Sequence, residues 1–267
     1  MSQRIFITGG ASGLGLALAH RFADSGASVC IGDIHTERGS EAEQALAAKA
    51  TAKFLTCDVQ RESDLQAAAD WLLAEWGGVD VVINNAGVAS AGAIDEFSMA
   101  DWQWVMDINL LGVVRGCKVF SALMKNQGSG HIVNIASLAG LIHPPRMGSY
   151  CATKAAVVAL SESMSLELDG DNIAVSVVCP GFFRTNLSES VRASDSSAQV
   201  MTEKLVSKAK VGAEEIADAV YTGIVQRDYY IIPQADARRN WRLKRWLPFK
   251  RYRQMMLKST AGMMRRG

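Results

Sequence analysis

Tyr150 and Lys154 lie four residues apart in Ser149-Tyr150-Cys151-Ala152-Thr153-Lys154, and Ser137 stands thirteen residues before the tyrosine. In a helix, i, i+4 spacing stacks two side chains on one face, so an ammonium can sit near a phenol. A free tyrosine, with a pKa near ~10, is a poor proton acceptor at neutral pH. A nearby fixed cation favours the phenolate and lowers that value. The pair is therefore the start of a base. Taken alone, the same spacing also describes an ordinary half-solvated pair on any helix.

A second group of residues could hold a phosphate. Thr8-Gly9-Gly10-Ala11-Ser12-Gly13-Leu14-Gly15 places glycines at 9, 13 and 15 directly after a strand-like run and at the opening of a helical pattern. Glycines there let the backbone approach a pyrophosphate held by amide N–H groups and the positive end of the helix. Asp33 closes the second strand eighteen residues beyond Gly15. A carboxylate at that place can accept hydrogen bonds from ribose hydroxyls and repels a 2′-phosphate, which favours NAD over NADP. His35 and Arg38 follow closely and soften that preference. The competing reading of Asp33 is a carboxylate at a helix N-terminus.

The elements that must position these residues alternate between two periodicities. Strand-like runs at 4–8, 28–32, 53–57, 79–84, 131–136, 173–179 and 229–232 are separated by helical patterns, among them 14–25, 98–126, 149–168 and 213–226. Such alternation implies about seven parallel strands joined by right-handed helical crossovers, a doubly wound α/β sheet covered by helices on both faces. Between residues 181 and 212 the pattern reads as loop. Neither an internal repeat nor a linker divides residues 1–236, which form a single expected domain.

Composition narrows the class. The chain has 267 residues, 49% of them hydrophobic, enough for a large core. Apolar runs stay short of the ~18 residues of a spanning helix, and the first residues lack a secretory pattern. Five cysteines without a CxxC pair suit a reducing, cytoplasmic setting better than a disulfide framework. Cys151 adjoins Tyr150 and reads as a packing residue, with reactivity the alternative.

From residue 4 to 233 the chain resembles the short-chain dehydrogenase/reductase family, whose fold is a Rossmann-type sheet. The resemblance rests on Gly9, Gly13 and Gly15; on Asp58-Val59 after the third strand; on Asn84-Asn85-Ala86-Gly87 after the fourth; on Asn109, Ser137, Tyr150 and Lys154; and on Pro180-Gly181 with Thr185 after the sixth. It implies that Tyr150 exchanges a proton with the substrate oxygen while hydride passes between substrate carbon and nicotinamide. Lys154 holds the phenolate and the nicotinamide ribose, Ser137 donates to the substrate oxygen, and Asn109 holds a water. Plain roles for Ser137 and Asn109 are a turn residue and a helix residue bonded to a neighbouring carbonyl. The resemblance further implies cofactor contacts from Gly9, Ser12, Gly13, Leu14, Gly15, Asp33, Asp58, Val59, Asn85, Ala86, Gly87, Tyr150, Lys154, Pro180, Gly181 and Thr185. A homodimer or homotetramer is implied as well, and no metal.

The expected function is thus NAD-dependent interconversion of a secondary alcohol and a ketone, hydrophobic or lipid-like. An NADP-dependent carbonyl reductase and a non-catalytic nicotinamide-binding module are the alternatives. Leu138 to Gly148 should line one wall of the substrate site, and Phe182, Phe183 and residues 186–210 the other. His143 and Arg146 read either as anchors for a substrate anion or as solvated loop residues. Residues 188–197 are polar and are expected to close on a ligand.

Charge is divided unevenly. Residues 1–236 carry 17 Lys and Arg against 27 Asp and Glu, a balance of −10, whereas residues 237–267 carry 11 basic residues and no acid. Trp241, Trp246, Phe249 and Tyr252 are interleaved with those bases, and Pro248 should separate two short helices. This C-terminal extension reads as a peripheral membrane contact through 237–260, as a segment docked on an acidic patch of this or another subunit, or as a solvated tail. Nucleic acid has no recognition motif to support it.

Overall fold

A computed structural model describes residues 2–186 and 191–261. Seven parallel strands form one sheet in the order β3 (Ala52–Thr56), β2 (Ser28–Asp33), β1 (Arg4–Thr8), β4 (Val81–Asn84), β6 (Gly130–Ile135), β7 (Ile173–Val178) and β9 (Tyr230–Ile231). Period-two alternation sorts the side chains of β1. Ile5 and Ile7 enter a core shared with Leu18 and Phe22 of α1 (Gly13–Asp24) and Val220 and Ile224 of α8 (Ala213–Gln226). Phe6 points the other way, into a core with Leu72 of α3 (Glu62–Trp76), Phe120 of α5 (Gly112–Gln127) and Val157 of α6 (Gly148–Glu167). The sheet therefore carries helices on both faces, as a doubly wound single domain must.

The chain reverses its direction of winding between β1 and β4. At such a switch point the loops leaving the carboxyl ends of neighbouring strands diverge and leave a crevice. Every loop that carries the candidate residues leaves from that end.

Several element bounds differ from the sequence pattern for local reasons. β4 begins at Val81, because the Val79 amide donates to the Gln127 side chain (3.1 Å) instead of to a ladder. The long helix at 98–126 is α4 (Met99–Met106) and α5, joined by a π-helical turn at Asp107–Leu111. The interval read as loop contains β8 (Arg192–Ala193), which pairs with β5 (Ser90–Ala91), and α7 (Ser196–Ser207). Pro248 does separate two helices, α9 (Ala235–Trp246) and α10 (Phe249–Ser259).

That extension is not a solvated tail among the described residues. Trp241 packs at a tilt on Tyr230 with ring centroids 4.9 Å apart, Ala237 and Tyr252 are buried, and Lys244 Nζ donates to the Leu141 carbonyl (2.5 Å). Apolar burial and one well-directed hydrogen bond hold it against its own domain.

Candidate active site

Tyr150 and Lys154 stand one turn apart near the start of α6, both buried, with Lys154 Nζ 5.9 Å from the centre of the tyrosine ring. The ammonium donates to the carbonyl of Ile135, the last residue of β6, at 2.8 Å. Two residues on, Ser137 opens a short 3-10 turn (Leu138–Gly140) and its Oγ accepts from the Ala139 amide (3.1 Å). The strand end and the helix thus bring Ser137 and Tyr150 to the same cleft. Underneath, Ser149 meets Ser90 of β5 at 2.7 Å, which ties the helix start to the loop after β4.

Burial governs the proton affinities of the pair. The Tyr150 phenol is pushed up to about 12 by loss of solvent, against a smaller downward pull from the Ser137 hydrogen bond. The Lys154 ammonium is pushed down to about 8 by the same burial. The expectation that Lys154 lowers the tyrosine is therefore corrected for this state of the protein. The cation is turned to a backbone carbonyl, and desolvation of the phenolate outweighs it.

Asn109 lies in the π-helical turn, fully buried. Its Oδ1 accepts from the Val88 amide and its Nδ2 donates to the Val88 carbonyl, both at 2.8 Å. A Cβ built on Gly87 would stand 3.1 Å from Asn109 Oδ1 and 3.6 Å from Lys154 Nζ, so this glycine leaves space between the amide and the ammonium. Asn109 braces the loop after β4 from behind and is not part of the cleft surface.

The cleft itself encloses about 640 Å³. Of the residues expected to bind a dinucleotide, Gly9, Ser12, Gly13, Leu14, Asp33, Asp58, Val59, Asn85, Ala86, Gly87, Pro180, Gly181 and Thr185 line it, together with Ser137, Tyr150 and Lys154. Gly15 does not. A Cβ there would fall 2.1 Å from the Gly9 carbonyl oxygen, so its role is to let the first turn of α1 pack on the turn before it. Gly9 has φ +63°, and a Cβ on it would come 2.9 Å from Ala86 Cα. A backbone cradle that only glycine can form, at the start of a helix, fits a pyrophosphate.

Asp33 is buried at the cleft's other limit. It accepts one backbone N–H on each oxygen, from Ala11 (3.1 Å) and His35 (3.0 Å). Two amides leave about two further acceptor sites on a carboxylate, enough for a vicinal diol. His35 and Arg38 line the same part of the cleft. The residues present thus fit an adenosine ribose, a pyrophosphate and a nicotinamide in that order from Asp33 to Tyr150. The Asn85 side-chain Nδ2 is committed elsewhere: it donates to the carbonyls of Thr8 (2.9 Å) and Gly9 (3.1 Å).

Sequence reasoning passed over several residues of the site. Thr8 Oγ1 accepts from the amides of Asn85 (3.0 Å) and Ala86 (3.1 Å) and locks the two cofactor loops together. A threonine closing a strand before a glycine turn was the available signal. Asn134, fully buried, receives a hydrogen bond from Asn84 (2.9 Å) and donates to Ser161 (3.0 Å), a polar strut below the site. No linear pattern marks it. On the substrate side Leu138, Ala139, Ile142, Pro144 and Met147 form one wall and Phe182 and Phe183 another, as expected. Leu205 and Val206 of α7 fall within the wall expected from 186–210, and Asn240, Met256, Ser259 and Thr260 of the extension also reach the cleft, through contacts made across the chain. Arg146 is neither an anion anchor nor solvated: its guanidinium pairs with Asp195 and lies 3.8 Å from Glu96. His143 Nδ1 is 3.0 Å from the Ala139 carbonyl. Cys151 is buried among Ala139, Met147 and Tyr150, a packing residue. Part of the polar segment 188–197 lies outside the described residues.

A family model described as short chain dehydrogenase matches residues 3–196. Over 191 residues the chain is 35% identical to a 3-oxoacyl-(acyl-carrier-protein) reductase, FabG, of Chlamydia muridarum, covering 71% of this chain and 77% of that one. Over 183 residues it is 35% identical to a 3-alpha-(or 20-beta)-hydroxysteroid dehydrogenase of Mycobacterium tuberculosis, 68% of this chain and 70% of the other. The crystal structure of a short chain dehydrogenase/reductase from Burkholderia phymatum in complex with NAD superposes with a TM-score of 0.87 at 32% identity, covering 91% of this chain and 92% of that one. With these likenesses added to its sheet order and glycine cradle, the chain belongs to the short-chain dehydrogenase/reductase family of oxidoreductases.

Proposed function

We propose that this oxidoreductase interconverts a hydrophobic secondary alcohol and its ketone with NAD(H). One observation carries the reading. Ser137, Tyr150 and Lys154 meet on one wall of a cleft whose far end holds the glycine cradle and Asp33. When bound, the nicotinamide supplies the hydride acceptor or donor. Tyr150 gives or takes the proton of the substrate oxygen, and Ser137, on the same cleft wall, donates to the same oxygen as charge develops there. Lys154 sets the electrostatics of the phenol and holds the nicotinamide ribose. Asn109, behind Gly87, holds the loop after β4 in place beside Lys154. Amides of Ser12, Gly13 and Leu14 receive the pyrophosphate, Asp58 and Val59 the adenine side, and Pro180, Gly181 and Thr185 the nicotinamide side.

The apolar walls from Ile142, Pro144, Met147, Phe183, Val206 and Met256 support a hydrophobic substrate. Free cysteines at 30, 57, 117, 151 and 179, all buried, support a cytoplasmic setting. Exposed Met106 and Leu111 support assembly as a homodimer or homotetramer, to be sized by sedimentation. A second reading, NADP-dependent reduction of a carbonyl, draws on Arg38 and His35 beside Asp33.

The test is reduced-nicotinamide absorbance across a panel of alcohols and ketones, with NAD and NADP side by side. Turnover with NAD that Tyr150→Phe abolishes is expected. Activity surviving that substitution would refute the mechanism, and a clear preference for NADP would transfer the reading to the alternative.

A further inference from the structure

The helix pair α9–α10 has two faces with different chemistry. Its inner face carries Ala237, Trp241 and Lys244 from α9, Tyr252 from α10 and Thr260 just past its end, all buried or half-buried against the domain. Its outer face and the turn between the helices carry large apolar side chains in water, with Trp246 86% and Phe249 75% exposed, and Leu257 on the same side. Arg242, Arg245, Lys250, Arg251 and Arg253 surround them, all exposed, and no acidic residue follows Asp236. Exposed aromatic rings interleaved with bases cost stability in water unless something covers them.

We propose that this outer face is a docking surface for an anionic lipid bilayer, with Trp246 and Phe249 entering the headgroup layer while the flanking Arg and Lys meet lipid phosphates. Three observations point to this occupant. An amphipathic segment with indole and phenyl rings amid bases suits the interface plane, where rings sit at headgroup level. A second copy of the chain is the less suitable partner, because a two-fold contact through the turn sets the same basic cluster against itself. The body, at −10 over residues 1–236, is repelled by an anionic surface that attracts the extension, so the charge division selects one orientation. Because Met256, Ser259 and Thr260 of the extension reach the cleft, docking holds the substrate half of the cleft about one helix diameter, ~10 Å, from the lipid.

The experiment is co-sedimentation of the full chain with phosphatidylcholine vesicles and with vesicles of phosphatidylcholine mixed with phosphatidylglycerol. Binding to the mixed vesicles alone is expected, falling at least about tenfold between low and high salt. The double variant Trp246→Ala/Phe249→Ala and the triple variant Arg245→Gln/Lys250→Gln/Arg253→Gln should each lose binding by about tenfold or more. These side chains are exposed, so both variants should keep the parent's melting temperature. Quenching of tryptophan fluorescence by brominated lipid supplies a readout on the unmodified chain. Equal binding to phosphatidylcholine alone, no binding to either vesicle, or a double variant that binds as the parent does would overturn the proposal. So would an ultracentrifuge result in which the double variant turns a dimer into a monomer, since that assigns the face to a second copy.

Discussion

Tyr150 and Lys154 are held in a pocket dry enough to oppose both of their charged forms. Before cofactor arrives, the phenol sits up at about 12 and the ammonium down at about 8. On the proposed reading, the positive charge of an oxidised nicotinamide bound beside Tyr150 would favour its phenolate, which would make the tyrosine a usable base in the complex. The ultraviolet difference spectrum between the cofactor-free wild type and Tyr150→Phe should therefore show no phenolate band between about pH 7 and about pH 10. A band in that range would contradict the burial argument. Lys154→Met removes a charge that serves two ends: turnover is expected to fall by roughly 10²–10³-fold, and NAD binding by titration to weaken as well. Asp33 offers a sharper discrimination. On the proposed reading its carboxylate faces the adenosine ribose and repels a 2′-phosphate, so Asp33→Ala should move the ratio of kcat/KM for NADP over NAD upward by at least about tenfold, as relief of a like-charge contact requires.

Strand β6 illustrates how an element carries both the site and its support. Its last residue anchors Lys154, its Asn134 joins β4 to α6, and its second residue, His131, is buried against Ser176 of β7. The Ser176 hydroxyl donates to the Asp228 carbonyl at 2.7 Å, so the imidazole must be the donor in its contact with Ser176, through Nε2–H. Burial holds His131 down at about 4, with Arg227 adding to it. As pH falls below about 6.5, the unfolded chain binds a proton that the folded histidine refuses, so stability is lost down to about pH 4. The loss amounts to roughly 3 kcal/mol. Urea midpoints measured across that window should fall more steeply for the wild type than for His131→Gln; parallel curves would exclude the histidine. Asn134→Ala strands the Asn84 amide in the core and should cost about 1–3 kcal/mol in the same assay.

At the scale of the molecule, the extension turns an open crevice into a walled cleft. α9 starts at Ala235, and Gln234 just before it accepts from the Gly181 amide (2.9 Å), so the helix departs from a loop that lines the cleft. Ten residues later Lys244 holds Leu141 in the loop that follows Ser137. The contact is close but not optimal, because the Tyr252 hydroxyl is buried without a hydrogen-bond partner among the described residues. Tyr252→Phe removes a polar atom that has no partner while keeping the ring. It should stabilise the protein by about 1–3 kcal/mol, seen as a higher melting temperature. A lower one would show that the hydroxyl is satisfied.

The chemistry was legible in the sequence because it obeys local rules. A tyrosine and a lysine four apart share a helix face, glycines after a strand free a backbone for phosphate, and a carboxylate closing β2 must stand at the sheet's carboxyl end. Those rules pointed to Tyr150, Lys154, Asp33 and the glycine turn, the family resemblance added Ser137, and the fold brings all of them to one cleft. Tertiary structure alone decided the rest. Desolvation, which depends on everything packed around a group, set the proton affinities of Tyr150 and Lys154 against the simple pairwise expectation. Contacts across the chain bound Arg146 to Asp195 and Asn134 to Asn84 and Ser161. They also folded a tail of basic and aromatic residues back over the substrate site, because only packing decides which face of an amphipathic helix is covered and which is left to meet a partner.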